Sequence, residues 1–316
     1  MRPLLLAAAF LAMLCYAQGA LADCRTRSAD ASFGSMSSFT LNSARQVVQT
    51  GSGFICTGGV LTLVSSNTVT GTIVSSRNAT ANQPQLFNAV TQSSIPYVIC
   101  EDRACSRTYS IGSAMTWRAN SLVGILGMFN ASDGTLPLYL RTTPGVNVPA
   151  GTYTDTLTIN WAYRICAVGA FGVCIYDTGQ ATSTINITLN VSNDCSIDSA
   201  PDLDFGTAAL PRDFNTVSSS LNIRCTRNAA YRISLSSSNP LASNWRQMSA
   251  TRDGRESLLQ YQLYKPGGSV WGENNDISTE GTGAVQVIPY SARINPQQQS
   301  QPAGRYSETI TVMLSY

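Results

Sequence analysis

The sequence predicts an all-β protein built from two sandwich domains, on three observations. Short runs alternate apolar and polar residues with a period of two. Ser, Thr, Asn and Gly are abundant between those runs, and no long helical periodicity interrupts them. One stretch is written twice, as Pro-Ala-Gly-Thr-Tyr at Pro149 and as Pro-Ala-Gly-Arg-Tyr at Pro302, each followed by an alternating run. In the second copy Tyr306, Ile310, Val312, Leu314 and Tyr316 share one parity, while Ser307, Thr309, Thr311 and Ser315 take the other. That pattern is a half-buried strand. Pro302 and Gly304 suit the second and fourth positions of a type I turn leading into it.

Taken in order, residues 1–22 read as a secretory signal: Arg2, an apolar run from Leu4 to Leu14, then Ala20-Leu21-Ala22 before Asp23. The apolar run is too short to span a bilayer, and no later stretch is long and apolar enough. An exported mature chain is therefore expected. Nine cysteines are present, and Cys15 leaves with the signal. The remaining even number in an exported chain reads as disulfides. Spacing suggests Cys24 with Cys56, Cys100 with Cys105, Cys166 with Cys174 and Cys195 with Cys225. Each long-loop bridge is worth about 2–4 kcal/mol. The chain has no histidine and no tight four-cysteine cluster, so no metal and no cofactor are expected. Charged residues make up 12 % and the net charge is +2, which is no footprint for nucleic acid or an anionic membrane.

The first domain, residues 23–192, opens at Asp23-Cys24, and Phe33-Gly34 closes its first strand. A second strand is predicted from about Val47 to Cys56, continuing from Val60 to Val64 after Gly58-Gly59. Residues 83–117 are less regular and carry Glu101, Asp102 and Arg103 in the small cysteine loop. Residues 122–129 are apolar, Leu136, Leu138 and Leu140 alternate, and the strand after Pro149 runs to Tyr163. The second domain, residues 193–316, repeats landmarks of the first in the same order. Asp204-Phe205-Gly206 matches Phe33-Gly34, and Asn222-Ile223-Arg224-Cys225-Thr226 matches Phe54-Ile55-Cys56-Thr57. Tyr231, Ile233 and Leu235 make a strand, as do Leu259, Tyr261 and Leu263, and residues 285–294 come after the turn at Gly281-Thr282-Gly283.

The two copies differ in their continuation. After Tyr163 comes a hairpin and then Ile185, Ile187, Leu189 and Val191, alternating with Asn186, Thr188 and Asn190. This strand is expected to lie beside residues 152–163 and complete the first sandwich. The second copy has no such segment after it, so its last strand is expected to lack a partner. About four apolar side chains are missing there, a deficit of about 6–12 kcal/mol at roughly 1.5–3 kcal/mol each. That is comparable with the stability of a whole domain. The edge formed by Tyr306, Ile310, Val312, Leu314 and Tyr316 is therefore the predicted acceptor of a strand from another chain.

The order Cys, Asp-Phe-Gly, Cys-Thr, Arg246-x-Met248, Leu259-x-Tyr261-x-Leu263-Tyr264, Trp271-Gly272, Gly281-Thr282-Gly283, Pro302-Ala303-Gly304-x-Tyr306 and a terminal Tyr resembles the spore coat protein U domain. That domain makes the subunits of archaic (Csu-type) chaperone–usher pili. The resemblance covers most of residues 194–316. The first repeat is similar more weakly, without the Trp-Gly and Gly-Thr-Gly landmarks. It implies immunoglobulin-like sandwiches, the C-terminal one lacking its seventh strand. It also implies a periplasmic chaperone that lends a strand, an outer-membrane usher, and a next pilin subunit whose N-terminal extension replaces the chaperone. Stem subunits of that family carry a free segment ahead of the first cysteine. Here the expected mature chain begins one residue before Cys24, which resembles the tip adhesin, a subunit that receives a strand and gives none.

In such tip subunits, apolar loops hold abiotic or host surfaces and support biofilm. The first candidate here is the hairpin tip clamped by Cys166 and Cys174, with Ala167, Val168, Ala170, Phe171 and Val173. A hairpin folded back on the sandwich is its alternative. The second candidate is Val123, Ile125, Leu126, Met128 and Phe129, for which a buried core strand is the alternative. A third lies at Leu86, Phe87, Ile95 and Tyr97. The Glu101–Arg103 charges fit a polar ligand, a cation or plain solvated surface. A stem pilin or spore-coat-type subunit without binding activity is the competing function. An enzyme is not expected: with no histidine a Ser-His-Asp triad is excluded.

Overall fold

The computed structural model describes residues 23–57, 61–62, 66–119, 127–170 and 173–316. The expected signal segment, residues 1–22, lies outside them. The chain divides into two compact units. One gathers residues up to Met36 with Leu41–Val146 and Gly151–Asn190; the other gathers Ser37–Thr40, Asn147–Ala150 and Val191–Tyr316. Both are β-structures, as the alternation requires.

The N-terminal strands are β1 (Asp23–Thr26), β2 (Ala29–Ser37), β3 (Val47–Gly51), β4 (Phe54–Thr57), β5 (Leu61–Thr62) and β6 (Asn67–Ser76). They continue with β7 (Gln85–Asn88), β8 (Ser93–Cys100), β9 (Ala114–Ala119), β10 (Pro137–Thr142), β11 (Gly151–Ala170) and β12 (Val173–Ser192). A short helix, α1 (Ser38–Ser43), comes after β2. The 20-residue β11 is the axis of this unit. It lies beside β12, which in turn lies beside β2. On its other edge it carries two branches: β7-β8-β10-β3, joined where Thr154 faces Phe87, and β6 with β9, joined along Leu157–Arg164. Tyr153, Leu157, Ile159 and Trp161 point inward and are at most 1 % exposed. The expected completing strand is present: Ile185, Ile187, Leu189 and Val191 of β12 are all buried.

Strand β6 is absent from the expectation. Only Val69 and Ile73 mark its inward face, with Asn67 and Gly71 between and around them. Gly71 is required there because it faces Trp161 across the ladder, and a Cβ at that position would lie 2.6 Å from the indole. The predicted strand from Val47 to Cys56 breaks into β3 and β4 at Gly53, whose φ is +72°.

The C-terminal unit holds β13 (Cys195–Ser199), β14 (Val217–Cys225), β15 (Ala230–Ser237), β16 (Arg246–Arg252), β17 (Arg255–Tyr264), β18 (Ile277–Glu280), β19 (Val285–Ile294) and β20 (Ile310–Ser315). They form two sheets, β13-β14-β19-β17-β16 and β18-β15-β20. The core between them centres on Leu221, Ile223, Ile233, Leu235, Tyr261 and Trp271.

The duplication is visible in geometry. Cys24 pairs in register with Cys56 between β1 and β4, and Cys195 with Cys225 between β13 and β14; each pair is also a disulfide. Cys100–Cys105 and Cys166–Cys174 are bonded as expected. The two Phe-Gly landmarks share one backbone geometry. Gly34 and Gly206 both have φ of +76°, a value glycine adopts without steric cost, and each amide is held by the side chain two residues back, Ser32 or Asp204.

Candidate functional site

The edge of the C-terminal unit is built by β20. Its antiparallel register places Leu314 opposite Ile233, Val312 opposite Leu235 and Ile310 opposite Ser237. Among the described residues β15 is the only strand paired with it, so its other backbone row is open. The side chains report the same asymmetry. Ile233 and Leu235, on the inner strand, are at most 4 % exposed, whereas Ile310, Val312 and Leu314 are only half-buried. In the N-terminal unit the repeated strand has neighbours on both edges and its inward residues are fully covered. One motif thus occurs in two settings, paired on both edges in one unit and on one edge in the other among the described residues.

A cavity of about 170 Å³ opens beside Ile310 and Val312 and reaches Leu221, Leu235 and Trp271. Its other wall is the segment after β13, through Leu203 and Phe205. Sequence reading gave that segment no role, although the Phe-Gly landmark marks it. Phe205 packs edge-on against Tyr261, with ring centroids 5.9 Å apart. Tyr261 donates a hydrogen bond to Glu308 Oε2 at 2.5 Å, and Glu308 Oε1 accepts the Asn239 amide. Burial, then that carboxylate, push the Tyr261 phenol well above its ordinary range. The groove is lined mainly by apolar side chains, with Asp202 and the Tyr261–Glu308 pair as its polar members, a surface suited to an extended strand.

Of the five predicted edge residues, Ile310 and Val312 line this groove, and Leu314 packs against the core of the unit. Tyr306 packs nearby against the core, its hydroxyl donating to Pro302 O at 2.8 Å. Tyr316 does not belong with them. It lies beyond the end of β20 and is 59 % exposed, because parity has meaning only while the ladder continues.

The predicted adhesive loops fare unevenly. Ala167 is corrected: it is 2 % exposed and part of the core, since β11 continues past Cys166 and pairs with β5 through Val168 and Gly169. The Val168 and Ala170 backbone belongs to β11, and Phe171 lies outside the described residues. Val173 is 78 % exposed, and Ile175, which sequence reading passed over, is 70 % exposed beside it on β12. Val123, Ile125 and Leu126 lie outside the described residues. Met128 is half-buried; so is Phe129, whose ring lies 6.3 Å from Phe54 and so turns toward the core. The third candidate is core as well: Leu86, Ile95 and Tyr97 are fully buried and Phe87 is half-buried, because β7 and β8 pair across a turn.

The Cys100–Cys105 loop is tightly held. Asp102 accepts hydrogen bonds from the Ser106 amide and hydroxyl, and the latter keeps its carboxyl below the usual range.

The family model for the Spore Coat Protein U domain matches twice, over residues 10–160 and 181–313. No curated protein matches this chain. Among solved structures, it is similar to the complex described as the CsuC-CsuE chaperone–tip adhesion subunit pre-assembly complex from archaic chaperone-usher Csu pili of Acinetobacter baumannii. Identity there is 25 %, the match covers 93 % of this chain and 100 % of that one, and the TM-score is 0.60. More distant are the CupB6 tip adhesin from Pseudomonas aeruginosa, at 12 % identity, 93 % and 94 % coverage and a TM-score of 0.36, and CfaE, the adhesive subunit of CFA/I fimbria of enterotoxigenic Escherichia coli, at 12 %, 78 % and 81 %, and 0.33.

Proposed function

Since the chain belongs to the Spore Coat Protein U domain family, we propose that it is the tip adhesin of an archaic chaperone–usher pilus, exported through the periplasm and displayed at the cell surface. The observation that carries this reading is the half-buried, singly paired β20 beside an apolar groove, set against its fully covered counterpart in the N-terminal unit. An incoming strand supplies the missing ladder partners and covers Ile310, Val312 and Leu314. A periplasmic chaperone lends that strand first, an outer-membrane usher exchanges it, and the next pilin then provides it. The tip position is supported by a match that spans both units and the whole of a tip subunit. Surface attachment is assigned to the end of the β11–β12 hairpin, where Val173 and Ile175 are exposed.

The test is expression of the mature chain in a periplasm with and without a cognate chaperone, read by co-purification and by hydrogen exchange at residues 310–315. The chain should accumulate only with the chaperone, and the β20 amides should gain protection in the complex. Val312→Arg should abolish co-purification. A stable lone monomer with those amides already protected refutes the proposal.

A further inference from the structure

A second concave site lies on the N-terminal unit, in a part of the surface the groove does not use. Strand β9 pairs only with β6 among the described residues, and Ala114, Thr116 and Arg118 project from its exposed face. Facing them is the return segment Arg107, Thr108 and Tyr109, with Glu101 from the disulfide loop. Together these seven residues line a cleft of about 540 Å³. That volume falls in the range of small-ligand clefts, roughly 300–1,000 Å³.

The cleft is held in shape by bonds that do not involve a ligand. The Cys100–Cys105 disulfide closes the loop, the Cys105 amide donates to Asp102 O at 3.0 Å, and the Tyr109 amide donates to Ile99 O at 2.9 Å. The Tyr109 hydroxyl donates to Glu101 Oε2 at 2.9 Å, which fixes the carboxylate at the mouth. Rigid walls lower the ordering cost of binding.

Its charge pattern is unusual for this chain. Two guanidiniums share one cleft with a single carboxylate, in a protein with only 12 % charged residues. Among the described residues neither Arg107 nor Arg118 takes part in an ion pair, and Arg107 lies against the Tyr109 hydroxyl. A metal cation is disfavoured by the two positive charges. A peptide strand needs apolar recesses for alternate side chains, and Ala114 is the lone apolar residue in the lining. What suits two forked cations, a hydrogen-bond-accepting carboxylate and threonine hydroxyls is a ring that carries both an anionic carboxylate and vicinal hydroxyls. We propose that this cleft binds uronic acid residues of an acidic polysaccharide, with Arg107 and Arg118 holding the sugar carboxylate and Glu101, Thr108 and Thr116 meeting its hydroxyls.

The test is calorimetric titration of the mature chain, in the complex in which it is purified, with tri-galacturonate, with neutral tri-galactose and with inorganic sulfate. Tri-galacturonate should bind, and the double variant Arg107→Ala/Arg118→Ala should weaken it by at least about tenfold, the loss expected for a paired carboxylate. Both arginines are exposed, so the melting temperature should stay unchanged, and Arg103→Ala, exposed but outside the cleft, should bind as the parent does. Equal binding of tri-galactose or sulfate overturns the proposal, as does a double variant of unaltered affinity or no binding at about 1 mM ligand. Tighter binding of an acidic peptide, tri-glutamate, also overturns it. None of these results depends on whether β20 accepts a strand.

Discussion

Gly71→Ala tests the core that carries the β11–β12 hairpin. A glycine-to-alanine change in a strand ordinarily stabilises by about 0.4–1 kcal/mol, through the unfolded chain. Here the new Cβ would sit 2.6, 2.9 and 3.0 Å from three ring carbons of Trp161, where carbon contacts normally settle near 3.5–4.0 Å. The indole must therefore retreat by nearly an ångström, and it has nowhere to go. It stacks on Phe54 at 5.0 Å with 16° between the planes, and lies 5.8 Å from Trp117. Its Nε1 donates to Ser183 Oγ at 2.8 Å, and that hydroxyl donates in turn to Ser52 O at 2.6 Å. Overpacking of this kind costs about 1–3 kcal/mol, and stretching a buried hydrogen bond adds about 1 kcal/mol. The net expectation is a loss of about 1–3 kcal/mol, or roughly 2–12 °C in melting temperature for a unit of this size. Tryptophan fluorescence and scanning calorimetry on the mature chain, in the complex in which it is purified, measure it. Gly304→Ala, where the nearest atoms stand 3.7 and 3.9 Å away, is the control and should shift stability by less than about 0.5 kcal/mol. An unchanged or raised melting temperature for Gly71→Ala refutes the packing argument.

Two further outcomes come from other parts of the molecule. Burial, then the neighbouring Asp155, push the Tyr97 phenol far above its ordinary value. The folded chain thus keeps a proton that the unfolded chain releases near pH 10, so this contribution is whole below about pH 10 and falls by about 1.4 kcal/mol per pH unit above it. Urea midpoints should fall as pH rises from about 9 to 11, and Tyr97→Phe should lessen that fall, leaving the share of Tyr261 and the other raised phenols. Val173→Ser with Ile175→Ser removes two exposed apolar side chains from β12 without touching the core. Melting temperature should hold while retention on polystyrene drops several-fold, and full retention removes the hairpin from the adhesive role.

The features legible in the chain are the local ones. Alternation announces β11, β12, β17 and β20 because the side-chain period of a strand is a property of the strand itself. The cysteine pairs were legible for a related reason: Cys24 and Cys195 each sit at the start of one strand and meet the end of another in the same register. β6 was not legible, since its inward face is half glycine and asparagine. Asn67 sits in the core because its side-chain oxygen accepts the Cys166 amide, at 2.7 Å, ninety-nine residues away in sequence. Arg246, named in the chain only as a landmark, is 1 % exposed, with Nη2 donating to Trp271 O at 3.1 Å and Nη1 to Ser237 Oγ.

The sequence by itself determined that two copies of one strand exist and that the first is followed by an alternating run. Tertiary structure alone decided what those strands meet. It buried Ala167, exposed Ile175, set Tyr316 beyond the ladder, placed Leu203 and Phe205 across the groove, and brought Arg107 and Arg118 into one cleft. The physical reason is range: period is set within a few residues, whereas pairing, cover and the convergence of charges depend on segments that only folding brings together.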